Sequence, residues 1–332
     1  SVMVKDISQV FVAGPPVVKA GMGMDIPKEQ LGGSDIHAHG SGAVDNEAET
    51  EEDAFNQIRR FLSYLPANVW QMPPRQATED DPCRREEALL SAIPRERRRP
   101  YNVRKLMDMV LDRGSFFEIG RYFGRPIVGG LALLNGYPVG VLANDPYHYG
   151  GGMDAPGAEK LVRMVDLFDT FHLPIVNFAD QPGFVIGVEA ERAGTIRKGV
   201  TALAAVYQAT VPWATVIVRR VYGVAGAGHQ NHSRHNLRVA WPSGDWGSLP
   251  IEGGLEAAYR RDIENSPDPE ARKAEIEQML NAVRSPFRTA EAFNIEDIID
   301  PRETRPLLCD WVENAYAVEG TRLGVKRRGM RV

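Results

Sequence analysis

The sequence predicts an α/β fold with largely parallel strands, and three observations carry that prediction. Short apolar runs rich in β-branched residues, "LPIVNFAD" (173–180) and "VPWATVIVRR" (211–220), read as buried strands. Segments with apolar residues at helical spacing stand before and between them, "APGAEKLVRMVDLFDTFH" (155–172) and "ERAGTIRKGVTALAAVYQAT" (191–210). Thirty-two glycines and 23 prolines in 332 residues exceed what an all-helical chain would carry and mark many strand–turn–helix junctions. Strands alternating with crossover helices pair in parallel.

Residues 1–45 are apolar and glycine-rich, broken by "AGPP" and "QLGGSD", and read as short strands and loops. Residues 46–66 read as a helix with acidic residues crowding its first turns, the favourable end of the dipole. Its apolar stripe is Phe55, Ile58, Phe61, Leu62 and Leu65. Residues 67–100 are rich in proline and charge and read as a linker, which divides the chain into 1–66, 67–100 and 101–332. The basic run Arg95, Arg97, Arg98, Arg99 inside it suits a solvated connector or an anion such as a nucleotide phosphate.

From residue 101 the pattern is regular. "VRKLMDMVLD" is a helix, and "RPIVGGLALLNGYPVGVLAND" is two strands joined by Asn135-Gly136, a hairpin turn. After the second buried strand, 229–239 reads as helical at first, and 252–286 as two helices around "SPDPE".

A net charge of −5 leaves no basic footprint for nucleic acid. Two distant cysteines, Cys83 and Cys309, argue against a disulfide framework and for a reducing compartment. No apolar run of about 18 residues is present, so no transmembrane helix is expected. The first residues lack a basic region followed by an apolar core and do not read as a signal peptide.

Four stretches are candidate sites. "NFADQPGF" (177–184) ends a strand and turns through Pro182-Gly183, where ligands of open α/β sheets sit; it is a pocket wall or an ordinary strand end. "ANDPYHYGGGMDAPGAEK" (143–160) sets Gly150–Gly152 before a helix, but it matches neither the P-loop nor G-x-G-x-x-G. "GVAGAG" (223–228) follows a strand, and small side chains there let a ligand approach the main chain. Its N–H groups can hold a developing oxyanion; the competing reading is a tight strand-to-helix turn. His229, His232 and His235 are three apart, which raises a zinc reading, a polar pocket or a subunit contact. No cysteine and no H-E-x-x-H pattern accompanies them, so no metal is assigned.

The stretches "QLGGSDIHAHGSG", "RPYNVRKLMDMVLDRGSFFEIGRYFG", "DQPGF", "VYGVAGAGH" and "DPRETR" follow in an order that resembles the carboxyltransferase subunit of biotin-dependent acyl-CoA carboxylases, the β subunits of propionyl-CoA and methylcrotonyl-CoA carboxylase. The resemblance covers nearly the whole chain. It implies the crotonase-type fold, a superhelix of β-β-α units, with acyl-CoA bound mostly by an N-domain and biotin mostly by a C-domain. It implies an active site between the N-domain of one subunit and the C-domain of its partner, in a hexamer. It further implies partnership with a biotin carboxylase and a biotinyl carrier (the α subunit), in the cytoplasm or the mitochondrial matrix.

The family's Ser-Gly-Gly-Ala-Arg element does not occur here, and residues 1–66 resemble only the last part of the N-domain. The chain is therefore expected to be the C-terminal portion of a longer subunit. The resemblance also implies that no side chain acts as acid or base. Two backbone amides, aligned with Val224 and Ala225, stabilise the biotin ureido oxygen. Gly183, Phe184, Gly223, Ala227 and His229 are implied to line the pocket.

Valine stands where the family prefers glycine, and its β-branch resists a positive φ. Ala227 replaces the aspartate of propionyl-type members, which implies a wider acyl pocket and a bulkier substrate. Decarboxylases and transcarboxylases of the same family, and a non-catalytic assembly subunit, are the alternative readings.

Overall fold

The computed structural model of the chain describes residues 1–229, 235–247, 251–283, 286–291 and 295–331. Strand β1 (Val2–Val4) pairs in parallel with β2 (Asn46–Ala48) as a small separate sheet. Between them, where loops are expected, lie α1 (Pro15–Met22), α2 (Lys28–Gly32) and one π-helical turn, Asp35–Gly40. The "AGPP" break is a helix start. Pro15 and Pro16 sit in the first turn of α1, where a missing N–H loses no intrahelical bond.

Helix α3 (Glu51–Ser63) begins where the Thr50 hydroxyl accepts from the Asp53 N–H at 3.1 Å. Its predicted stripe is only half used: Phe61 and Leu65 reach the core, while Phe55, Ile58 and Leu62 stay exposed. Residues 67–100 hold one 3-10 turn, Glu87–Ser91, whose Leu89 is buried. This irregular segment is tied down by guanidinium groups. Arg84 donates to Asp80 at 2.7 Å, and Arg305 donates to the carbonyls of Asp81, Asp80 and Val110 at 2.8–3.0 Å.

Helix α4 (Val103–Val110), capped by Asn102, precedes β3 (Phe117–Glu118), β4 (Ile127–Leu134) and β5 (Tyr137–Asn144). Asn135 and Gly136 take φ of 51° and 78°, so the expected two-residue hairpin closes with Leu134 opposite Tyr137. The buried Asp112 carboxylate accepts both turn N–H groups, at 3.0 and 2.8 Å. Then follow α5 (Ala155–Thr170), β6 (Ile175–Gln181), α6 (Val188–Arg192), α7 (Thr195–Gln208), β7 (Trp213–Tyr222) and α8 (Gly223–Ala227). The chain continues through β8 (Asn236–Ala240), β9 (Asp245–Gly247), α9 (Ile251–Glu264), α10 (Pro269–Val283), α11 (Pro286–Glu291), β10 (Asp297–Ile298) and α12 (Thr304–Glu319).

The main sheet runs β10-β8-β7-β6-β5-β4-β3, with β9 against the end of β7. Pairing is parallel from β5 to β10, as the alternation of strands and helices predicts. Val176, Phe178, Val216 and Val218 face α4 and α12 on one side. Ile175 and Trp213 face α5 and α7 on the other. Of the segment 229–239, read as helical at its start, the last part is a strand: the edge of β7 takes a parallel partner there, Trp213–Ile217 opposite Asn236–Ala240. Residues 230–234 lie outside the described residues.

Candidate functional site

Three of the predicted stretches converge. The strands β5, β6 and β7 are neighbours and parallel or continuous in one sheet, and each carboxyl end opens into a glycine-rich loop. Loop Gly150–Gly152 and turn Pro182–Phe184 are zipped together: Met153 N–H donates to the Gly183 carbonyl at 3.0 Å, and Val185 N–H to the Met153 carbonyl at 2.9 Å. Gly151, at φ 91°, has room for no Cβ, which would sit 2.7 Å from the Asp180 carbonyl oxygen. Gly183 takes φ 132°, and the Phe184 ring packs so close over Gly199 of α7 that a Cβ there would be 2.5 Å away.

Asp180 is the hub of this arrangement. It is 0% exposed at the end of β6. Its Oδ2 accepts from Arg219 Nη2 at 2.8 Å and Nε at 3.0 Å, and its Oδ1 accepts from Arg220 Nε at 2.8 Å. Burial by itself would raise the Asp180 pKa, but the charges and hydrogen bonds of Arg220 and Arg219 outweigh it and hold the carboxyl below its ordinary range. Arg220 Nη2 donates onward to the Gly150 carbonyl at 2.6 Å. Arg219 Nη1 donates to the carbonyls of Arg97 and Arg99 at 3.2 and 2.9 Å. The basic run of the connector therefore meets the site through its backbone, and Arg97 pairs with Asp245 at 3.1 Å.

Two residues past Arg220, β7 ends and α8 begins. The positive φ of this turn falls on Gly223, at 60°, and not on Val224. The strain anticipated for a valine is thus taken up one residue earlier, where no Cβ is present. Val224 and Ala225 are the second and third residues of α8, so their N–H groups have no i−4 carbonyl to bond, and no side chain caps them. Val224 is 63% exposed, whereas the Ala225 side chain is buried. Ala227 closes the same helix, and its side chain lies outside the described residues.

His229 and His235 meet different partners. His229 is buried and turned back into the sheet, where its Nδ1 meets Asn177 Nδ2 at 2.9 Å and its carbonyl accepts from Thr215 at 3.0 Å. Burial, opposed only weakly by Asp180, pushes its pKa down to about 4, so the imidazole is neutral. His235 stacks on Trp311 of α12 instead, with ring centroids 6.2 Å apart. His232 lies outside the described residues. Asn177 and Asp180 lie within the stretch 177–184 marked from sequence, but their polar roles, and those of Arg219 and Arg220, were not read there. The available trace was a polar residue inside each of two apolar strands, Asn177 and Thr215, which the register places directly opposite one another.

This chain belongs to the carboxyl transferase domain family, whose profile matches residues 1–328. The α/β architecture is the crotonase-like carboxyltransferase fold that the resemblance implied. Among its relatives, the carboxyltransferase subunit of propionyl-CoA carboxylase from Haloferax mediterranei is 38% identical over 307 residues, covering 91% of this chain and 59% of that protein. The methylmalonyl-CoA decarboxylase subunit alpha of Veillonella parvula is 33% identical over 305 residues, 92% of this chain and 58% of that one. The crystal structure of transcarboxylase 12S with methylmalonyl-coenzyme A bound superposes with a TM-score of 0.88 at 30% identity, covering 100% of this chain and 62% of that one. The chain thus spans about three-fifths of the length of these relatives.

Proposed function

We propose that this chain is the biotin-side part of a carboxyltransferase that moves a carboxyl group between biotin and the α carbon of an acyl-CoA. The observation that carries the reading is the α8 turn. It presents two successive N–H groups without intrahelical partners, at the carboxyl end of a parallel strand, beside two other glycine-rich loops. Such donors stabilise an oxygen that gains negative charge, and the turn sets them before the reaction begins. In this reading Val224 and Ala225 donate to the ureido oxygen, Gly223 supplies the backbone reversal, and Gly183 and Phe184 wall the pocket. When bound, carboxybiotin supplies carbon dioxide and a ureido nitrogen that takes the substrate proton. His229 holds the end of the turn from behind rather than facing the ligand.

Residues 1–66 are proposed to belong to the acyl-CoA side, 67–100 to be the connector and 101–332 to be the biotin side. The partners proposed are a biotin carboxylase and a biotinyl carrier subunit, in a homo-oligomer such as the hexamer described for transcarboxylase 12S. A cytoplasmic or mitochondrial-matrix location is supported by two free cysteines, Cys83 and Cys309. The similarity to a methylmalonyl-CoA decarboxylase subunit supports a second reading, the reverse reaction. Copurification with an ATP-dependent biotin carboxylase selects the forward one.

The test supplies the full-length subunit with biotin carboxylase, biotinylated carrier, ATP, labelled bicarbonate and an acyl-CoA. Val224→Pro, which deletes one donor, lowers turnover on the order of 100-fold, while Val224→Ala, which keeps the N–H, stays within about twofold. Full turnover in folded Val224→Pro overturns the assignment.

A further inference from the structure

We propose that Asp35, His39 and Glu47 form a zinc site, independent of carboxyl transfer, that clips the π-helical turn Asp35–Gly40 to strand β2. One ligand atom from each of the three side chains lies within 4.8 Å of the others. The Nε2 of His39 and Oε2 of Glu47 are 3.4 Å apart. Both atoms are shielded from solvent, and neither makes a hydrogen bond. The Glu47 side chain is only 8% exposed, so a carboxylate oxygen is buried facing a ring nitrogen without the alignment of a hydrogen bond. Two buried ligand atoms in that relation face a common point, and a cation there satisfies both.

The mixed imidazole and carboxylate donor set and the His39–Glu47 spacing suit zinc. Zinc bonds of about 2.0–2.1 Å in tetrahedral geometry set neighbouring ligand atoms about 3.4 Å apart. Octahedral magnesium at similar bond lengths requires about 2.9 Å, and it takes oxygen in preference to imidazole. Ring stacking on Tyr122, with centroids 4.2 Å apart and planes 19° from parallel, fixes the plane of His39. Asp35 stands four residues earlier in the same turn with an exposed side chain, free to swing onto the ion as third ligand. Water fills the fourth position, as in other three-ligand zinc sites. Neighbouring His37 is already engaged, its Nε2 at 2.7 Å from the Val10 carbonyl and its Nδ1 at 3.1 Å from Ser41.

The experiment titrates the metal-stripped chain with Zn2+ by calorimetry, alongside His39→Gln and Glu47→Gln, and records melting with and without chelator. The expected result is one Zn2+ per chain, a raised wild-type melting temperature, and binding weakened at least about 100-fold in each variant. Millimolar Mg2+ should not compete. Absence of stoichiometric binding to the wild type overturns the proposal, as does equal binding in both variants. If instead the pair is bridged by a proton, Glu47→Gln alters the melt in chelator while zinc leaves the wild type unmoved, and that outcome also overturns it.

Discussion

Asp180→Asn is the sharpest probe of how the loops are held. The substitution keeps the side-chain shape but removes the charge that two guanidinium groups share, in a place where Asp180 is fully buried and the Arg219 and Arg220 side chains are 5% and 18% exposed. Removing one partner of a buried ion pair costs about 3–5 kcal/mol, because the other charge is left unpaired in a poor solvent. With an unfolding entropy of about 2.1 cal/mol/K per residue, a chain of this length has about 0.7 kcal/mol/K in all, so the melting temperature falls by about 4–7 °C at pH 7.

The pH dependence follows from the sign of the shift. The folded carboxyl titrates below its ordinary value, so its contribution is complete above about pH 4 and is lost as the pH falls through the folded pKa. The gap between wild type and Asp180→Asn should therefore be constant from pH 7 down to about 4.5 and close below that. Differential scanning calorimetry across the pH series reads both quantities. A shift under about 1 °C at pH 7, or a gap that persists unchanged in acid, would refute the hub role.

Other consequences can be measured on the same preparation. Gly151→Ala places a Cβ against the Asp180 carbonyl and demands a positive φ, so it should destabilise by more than about 1 kcal/mol in urea unfolding, whereas Gly114→Ala, with open space around it and only the φ penalty, should cost less. His229 loses stability in the same direction as Asp180, toward acid, but over a higher pH window. Its folded pKa of about 4 lies below the ordinary 6.5, so stability is complete above pH 6.5 and falls as the pH drops toward 4, by on the order of 3 kcal/mol. His229→Met should flatten the stability profile in that window, and an unchanged slope would remove the buried neutral imidazole as its cause. If alanine at 227 widens the acyl pocket, the full-length complex should carboxylate acyl-CoAs longer than propionyl-CoA in preference. A panel led by acetyl- or propionyl-CoA would sink that idea.

Much of this protein is local information, and local information is legible in a sequence. Runs of β-branched residues long enough for one strand, separated by amphipathic helices, determine the parallel sheet, because a strand buried on both faces needs apolar residues on both. Asn135-Gly136 determines the hairpin because few other pairs adopt two positive φ values cheaply. The order of the glycine-rich stretches was enough to pick out loops that the fold brings together. Tertiary structure alone decided what depends on distant partners. "AGPP" reads as a break until a helix is seen to start on it, and residues 236–240 are placed as a strand by the edge of β7 that pairs with them. No spacing in the chain says that Asp180 would neutralise Arg219 and Arg220, that His229 would meet Asn177, or that His39 and Glu47 would meet. Those groups are brought together by sheet register and chain reversal, and a buried charge or imidazole acquires its state only from the neighbours that the fold delivers.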